Sequence, residues 1–365
     1  MKTKINAQIV AHSKNEQGDE LISVLATFPR IILAEVNTHR MLSKNTSSSR
    51  AIPFNKMVET IQNDPFIPIA WQKEHKGMQG SEYFENTMLQ QALWLEARNS
   101  AVDLADRLNS GCGVTKQLCN RLLEPFMWTT MLITGPKSGW DNFFNLRCPQ
   151  YEYITKEDIT YFKSKKDWTK KFYESKVVSN TSATIEDINT YSWFNKNKGQ
   201  AEIHIMALAE CIWDAYNEST PKILIPGEWH IPFLDKIETD FEEIAVKVST
   251  AMAARTSYTV VGNEKEIDID AMVVLHDRLL AQDPPHSSPL EHCARAMSED
   301  EYRGNIKGKI NLINDREFQT EFAAMTGYTP LSGACEEKAL GWCNNLKGFI
   351  PYRYMVDNGN QTSKD

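Results

Sequence analysis

The segment Thr38-His39-Arg40-Met41-Leu42-Ser43-Lys44-Asn45-Thr46-Ser47-Ser48-Ser49-Arg50 gathers two guanidiniums, an imidazole and a run of hydroxyls and amides. A planar guanidinium fork suits phosphate or a pyrimidine carbonyl. Serines and backbone N–H groups can complete a phosphate cradle. The bland alternative is a solvated turn with Ser and Asn caps. Further along stand Asn120-Arg121-Leu122-Leu123-Glu124-Pro125 and Asn142-Phe143-Phe144-Asn145-Leu146-Arg147. Arg121 is a candidate phosphate ligand or an exposed helix arginine. Two more blocks lie near the C-terminal end, Ala253-Ala254-Arg255-Thr256-Ser257-Tyr258 and His286-Ser287-Ser288-Pro289-Leu290-Glu291-His292. Imidazole and carboxylate are proper zinc or iron ligands. However, this spacing is not H-E-x-x-H, and Pro289 interrupts any helical facing of the two histidines, so no metal is expected. Glu202, opening the Gln200-Ala201-Glu202-Ile203 stretch, reads as a helix-terminal acid stabilised by the macrodipole rather than as a catalytic carboxylate.

These blocks together carry a resemblance. His39-Arg40, seven residues and then Ser48 look like the R-H-R-x7-S signature of the flavin-dependent thymidylate synthases, with Ser43, Asn45 and Arg50 also in place. Thr38 stands where that signature has its first arginine, and Thr46 where it has a glutamate. Asn142–Arg147 resembles the family's N-F-x-N-L-R. Residues 253–258 and 286–292 resemble its A-A-R-V-S-F and H-x-S/T-P-F-E-H blocks. In the common order those two blocks come first. Here they follow the signature by more than two hundred residues, so the resemblance is to a circularly permuted, phage-type member. Permutation is physically reasonable where the relocated ends are exposed and close together.

The resemblance implies an α+β fold, with a mixed or antiparallel sheet packed with long helices. It implies methylation of dUMP to dTMP with FAD as carrier, NADPH as reductant and 5,10-methylenetetrahydrofolate as one-carbon donor. It places His39, Arg40, Asn142, Arg147, Ser257, Ser288 and Glu291 at the flavin. Ser48, Arg50, Arg121 and Arg147 would bind the nucleotide, and Arg147, Ser48 and Arg50 would carry catalysis. A homotetramer or homodimer is implied as well. The departures at Thr38, Thr46 and Arg121 leave two alternatives: a methylase or hydroxymethylase of another pyrimidine nucleotide such as dCMP, and a non-catalytic nucleotide- or nucleic-acid-binding relative.

Bulk properties narrow the field. The chain has 365 residues, 41% of them hydrophobic, and a net charge of -8. That acidity does not suit a protein built to coat nucleic acid, although local arginines can still hold a small anion. No apolar run reaches signal-peptide or membrane-spanning length, so a cytoplasmic protein is expected (host cytoplasm if phage-encoded). Seven scattered cysteines without a C-x-x-C pair read as reduced thiols. Cys148, beside Arg147, is the one thiol worth testing as a nucleophile. There is no Walker loop and no G-x-G-x-x-G.

The elements that must position these groups are partly legible. Apolar, β-compatible runs at 4–10 and 21–27 flank a polar turn and predict a strand pair. Pro29 opens a short helical pattern, and residues 41–50 read as a polar loop. A helix over 86–109 would place Met88, Ala92, Leu95, Val102 and Leu108 near one face. Another over 115–128 is kinked or divided by Pro125. Further helices are expected at 200–216, 240–254 and 269–281. One domain is expected over 1–358, with an insertion at 149–198 whose aromatics pack onto something, and a frayed tail over 359–365. Two Trp-containing stretches read as pocket rims, with Lys73, His75 and His230 as weak substrate-site candidates.

Overall fold

The computed structural model describes residues 3–77, 80, 82–155, 158–179, 190–256, 267–305 and 340–359. The strands are β1 Asn6–Asn15, β2 Glu20–Pro29, β3 Ser43–Thr46, β4 Trp128–Pro136, β5 Tyr151–Ile154, β6 Ile159–Phe162, β7 Lys222–Leu224, β8 Trp229–His230, β9 Ala294–Ala296, β10 Trp342–Cys343, β11 Leu346–Lys347 and β12 Phe349–Pro351. The helices are α1 Leu33–Asn37, α2 Phe54–Asn63, α3 Met88–Asp106, α4 Lys116–Cys119, α5 Lys137–Arg147, α6 Lys165–Ser179, α7 Thr190–Lys196, α8 Ile203–Glu218, α9 Glu242–Arg255, α10 Ile269–Leu280 and α11 Tyr352–Gly359. Residues 360–365 of the expected tail lie outside the described residues.

A five-stranded sheet in the order β3-β4-β2-β1-β7 organises the molecule, antiparallel except for the parallel β1–β7 pair. Its strands alternate between two cores, as a period of two requires. Ile22, Val24, Ala26 and Phe28 on β2, with Met131 and Ile133 on β4, pack against Trp140, Phe143 and Phe144 of α5 and Ile205, Leu208 and Ile212 of α8. On the opposite face Val10 and Leu132 meet Ala245, Val248 and Met252 of α9 and Met272 of α10. The fold is therefore mixed α and β, with helices on both faces of a mixed sheet.

The 41–50 segment is not all loop. Its residues 43–46 form an edge strand, pairing Ser43 with Thr134 and Thr46 with Met131. The 115–128 helix is divided as its proline requires: α4 ends at Cys119, a 3-10 stretch over Asn120–Phe126 contains Pro125, and β4 begins at Trp128. α3 buries only Val102 and Ala105. Met88 is 78% exposed, and Leu89, Leu93, Leu104 and Leu108 also face outward, so the expected apolar face of this helix is only partly covered.

A second sheet, in the order β12-β9-β8, meets the first through buried polar groups. Ser13 Oγ lies 2.8 Å from His230 Nδ1, and His230 Nε2 lies 2.8 Å from Ser23 Oγ. Ser23 Oγ lies 2.6 Å from Thr134 Oγ1, which lies 2.8 Å from His292 Nδ1. All five side chains are buried. The 149–198 segment forms a β5–β6 hairpin with α6 and α7, knit by Trp168 stacked on Phe172 at 5.3 Å. It docks on α8 through Tyr151 Oη to Glu210 (3.0 Å) and Trp213 Nε1 to Asp167 (2.7 Å). Gly348, at φ 77°, turns the chain against Asn15, and a side chain there would collide with the Asn15 amide.

Candidate functional site

His39 sits just beyond α1, buried with its ring edge-on to Phe143 of α5 at 4.8 Å. α5 ends at Arg147, whose Nε donates to His39 Nε2 at 3.0 Å and whose Nη2 reaches Thr38 Oγ1 at 3.3 Å. A guanidinium has only donors, so His39 Nε2 carries the lone pair and the ring is neutral. Burial, then the positive charges of Arg147 and Lys44, push the His39 pKa down to about 4. The signature segment and the 142–147 block are thereby joined side chain to side chain.

β3 carries the segment to the two C-terminal blocks. Asn45 Nδ2 donates to the Ala253 carbonyl of α9 at 3.1 Å, and Thr256 Oγ1 caps the same carbonyl at 2.6 Å. Lys44 Nζ donates to the His39 carbonyl at 2.5 Å. Burial lowers the Lys44 pKa to about 8, against the opposing pull of Glu291. Glu291 closes the 3-10 turn Ser288–Glu291 and is ion-paired with Arg353 of α11. Ser288 is half-buried at the start of that turn. Ser257 lies outside the described residues.

The far end of the segment has a different neighbour. Ser48 is half-buried and Arg50 exposed, while Ser49 Oγ donates to Glu124 Oε1 at 2.6 Å. Arg30 Nη2 lies 3.1 Å and Arg121 Nη1 4.0 Å from the same oxygen. Arg30 Nη1 also donates to the Ser47 carbonyl at 3.0 Å, and Asn120 Nδ2 to the Ser49 carbonyl at 2.6 Å. Arg121 is therefore at this end of the segment, but exposed on its rim.

Arg40 and Asn142 are exposed. Among the described residues neither they nor Arg50 have a side-chain hydrogen bond or ion pair. Glu202 is the N-cap of α8, accepting from His204 N at 2.7 Å and Ile205 N at 3.1 Å, a capping role. His230 lies in the buried polar row rather than on a pocket rim. Lys73 pairs with Glu82, and His75 is exposed. Burial pushes the Cys148 thiol far up, which disfavours the thiolate a nucleophile needs. His286 is exposed and His292 buried, so they do not face one point. Cavities of about 620 Å³ between α2 and α3 and about 600 Å³ within the 149–198 segment lie away from the His39–Arg147 contact.

Lys44, Arg30, Ser49 and Glu124 were not singled out by sequence. Lys44 and Ser49 lay inside the quoted segment, and Glu124 inside the Asn120–Pro125 block. Nothing in the sequence marked Arg30.

No family model and no curated protein matches this chain. Among solved structures, a UMP/dUMP methylase, PolB from Streptomyces cacaoi, bound with 5-Br UMP is 14% identical with a TM-score of 0.32, covering 40% of this chain and 78% of that one. The same protein bound with 5-Br dUMP gives 12% and 0.34, covering 49% and 91%. Thymidylate Synthase X (ThyX) from Helicobacter pylori with FAD and dUMP gives 13% and 0.27, covering 54% and 67%. Superpositions this partial assign neither a family nor a ligand to the chain.

Proposed function

We propose that this chain is a flavin- and folate-dependent enzyme that transfers a one-carbon unit to C5 of a pyrimidine deoxynucleotide, with dUMP to dTMP as the reaction. The observation that carries the reading is the convergence on one strand and its flanks. β3 and the turn before it hold His39 against Arg147, Asn45 against Ala253, and Lys44 beside Glu291. Four blocks far apart in sequence are neighbours there, as a permuted member of the flavin-dependent thymidylate synthases requires.

The side chains suit the groups this reading needs. Arg40, Arg50 and Asn142 are exposed polar groups beside the convergence, available to an anionic cofactor and nucleotide. Bound there, FAD would carry reducing equivalents from NADPH to the one-carbon unit given by 5,10-methylenetetrahydrofolate. Arg147, fixed through Nε by His39, holds a permanent positive charge for the pyrimidine carbonyl. Ser48 and Arg50 take the nucleotide phosphate. Residues 1–358 are read as one domain with 149–198 inserted, acting in the cytoplasm as a homotetramer or homodimer.

The test is a visible spectrum of the purified protein, followed by product masses after incubation with dUMP or dCMP, 5,10-methylenetetrahydrofolate and NADPH. Oxidised-flavin absorption and a methylated dUMP are expected. A product from dCMP alone would move the substrate to cytosine. Protein that is colourless, takes up no FAD and alters neither nucleotide would refute the enzyme reading.

A further inference from the structure

Glu124 sits among three donors at the far end of the segment, where Arg30 has a donor to spare. One of its oxygens, Oε1, takes the Ser49 hydroxyl at 2.6 Å, Arg30 Nη2 at 3.1 Å and Arg121 Nη1 at 4.0 Å. The Nε and Nη2 hydrogens of an arginine lie along one edge of the guanidinium, the edge that grips two oxygens of a phosphate or carboxylate at once. Arg30 uses only half of it. Its Nε is buried and has no hydrogen-bond partner, and a buried donor left unmade is costly. The Arg30 side chain is only 12% exposed, so water does not readily supply the missing acceptor. The cradle adjoins Ser48 and Arg50.

We propose that Glu124 is a placeholder for a phosphate monoester. On binding, the phosphate displaces the carboxylate and is held by Ser49 Oγ, by the Nε–Nη2 edge of Arg30 and by Arg121, in addition to the neighbouring Ser48 and Arg50. The inference rests on the nucleotide reading above for the identity of that phosphate, the 5′-phosphate of the substrate. Glu124 then has two effects. It satisfies a partly buried guanidinium while the site is empty, and it competes with the ligand by like charge once the site fills.

Calorimetric titration of the full chain with inorganic phosphate, dUMP and 2′-deoxyuridine tests this. Glu124→Gln should tighten phosphate and dUMP by about tenfold, the scale of one removed like-charge contact, and leave 2′-deoxyuridine unchanged. Ser49→Ala should weaken phosphate and dUMP together. Asp103→Asn, an exposed carboxylate on α3, removes the same charge elsewhere and should change neither. If Glu124→Gln does not fold by circular dichroism, Glu124→Ala, which removes the same charge, carries the same expectation. The proposal is overturned if Glu124→Gln leaves phosphate affinity unchanged, shifts 2′-deoxyuridine equally, or is matched by Asp103→Asn. Protein that takes up no flavin but shows the phosphate gain would sink the enzyme reading and leave this one standing. The reverse outcome separates them the other way.

Discussion

Burial lowers the pKa of five histidines in this chain, and in three of them it falls to about 4 or below. His39 is pushed to about 4 by burial and by the charges of Arg147 and Lys44. His230 is pushed to about 3, by burial first and then by His12 and His292. His292 falls to about 3 through burial alone. In each the folded pKa lies below the unfolded value of 6.5, so between 6.5 and about 4 the unfolded chain binds protons that the native chain refuses. Stability is then complete above 6.5 and falls as the pH drops, by roughly 1.4 kcal/mol per pH unit for each histidine in that window. Urea titrations from pH 7 to pH 4.5 should show midpoints that fall steeply with acid. His292→Gln, which cannot take up a proton, should flatten the slope by about one proton's worth. A slope unchanged in that variant would mean His292 is not a proton-refusing group.

At the scale of elements, the short strand β3 does more than its four residues promise. It closes one edge of the main sheet and carries Lys44 and Asn45 to α9 and to the Ser288–Glu291 turn. Asn45 is only 5% exposed, and its amide meets the Ala253 carbonyl near the end of α9. Asn45→Ala should cost about 1 kcal/mol, the loss of one buried hydrogen bond, since the Ala253 carbonyl keeps Thr256 as a partner. The melting temperature of the variant checks this, and an unchanged value would show that β3 is not pinned to α9. The β1–β2 pair was legible in sequence because two apolar, β-compatible runs flank a polar turn. β3 was not, because Ser-Lys-Asn-Thr has no apolar period and becomes a strand only through pairing with β4. His39, Arg147 and Glu291 were legible by residue type and motif. Arg30 and Glu124 were not, since their roles depend on which side chain stands opposite, and spacing does not give that.

For the molecule as a whole, the outward leucines of α3 are the feature that reaches beyond the chain. Leu89, Leu93 and Leu104 fall within about 60° of the helix circumference, along one side of α3. An exposed apolar stripe of this kind marks a contact surface, which supports the proposed self-association. Leu93→Glu with Leu104→Glu should lower the mass of the wild-type assembly in light scattering. Folding stability should stay within about 0.5 kcal/mol, as at other exposed positions. An assembly of unchanged mass would exclude the stripe as its contact. No helix among the described residues is long and apolar enough to cross a membrane, so the stripe is not part of such a span. Inside, the row from Ser13 through His230, Ser23 and Thr134 to His292 has a directional character. Each neutral imidazole owns one proton and one lone pair, and each hydroxyl gives one proton. The row can therefore point only one way at a time, and turning one rotor turns all of them. Its last atom, His292 Nε2, has no partner. That atom is a bare N–H in one sense and a lone pair in the other, so a change at Ser13 on β1 would be read out as the polarity of the residue that follows Glu291.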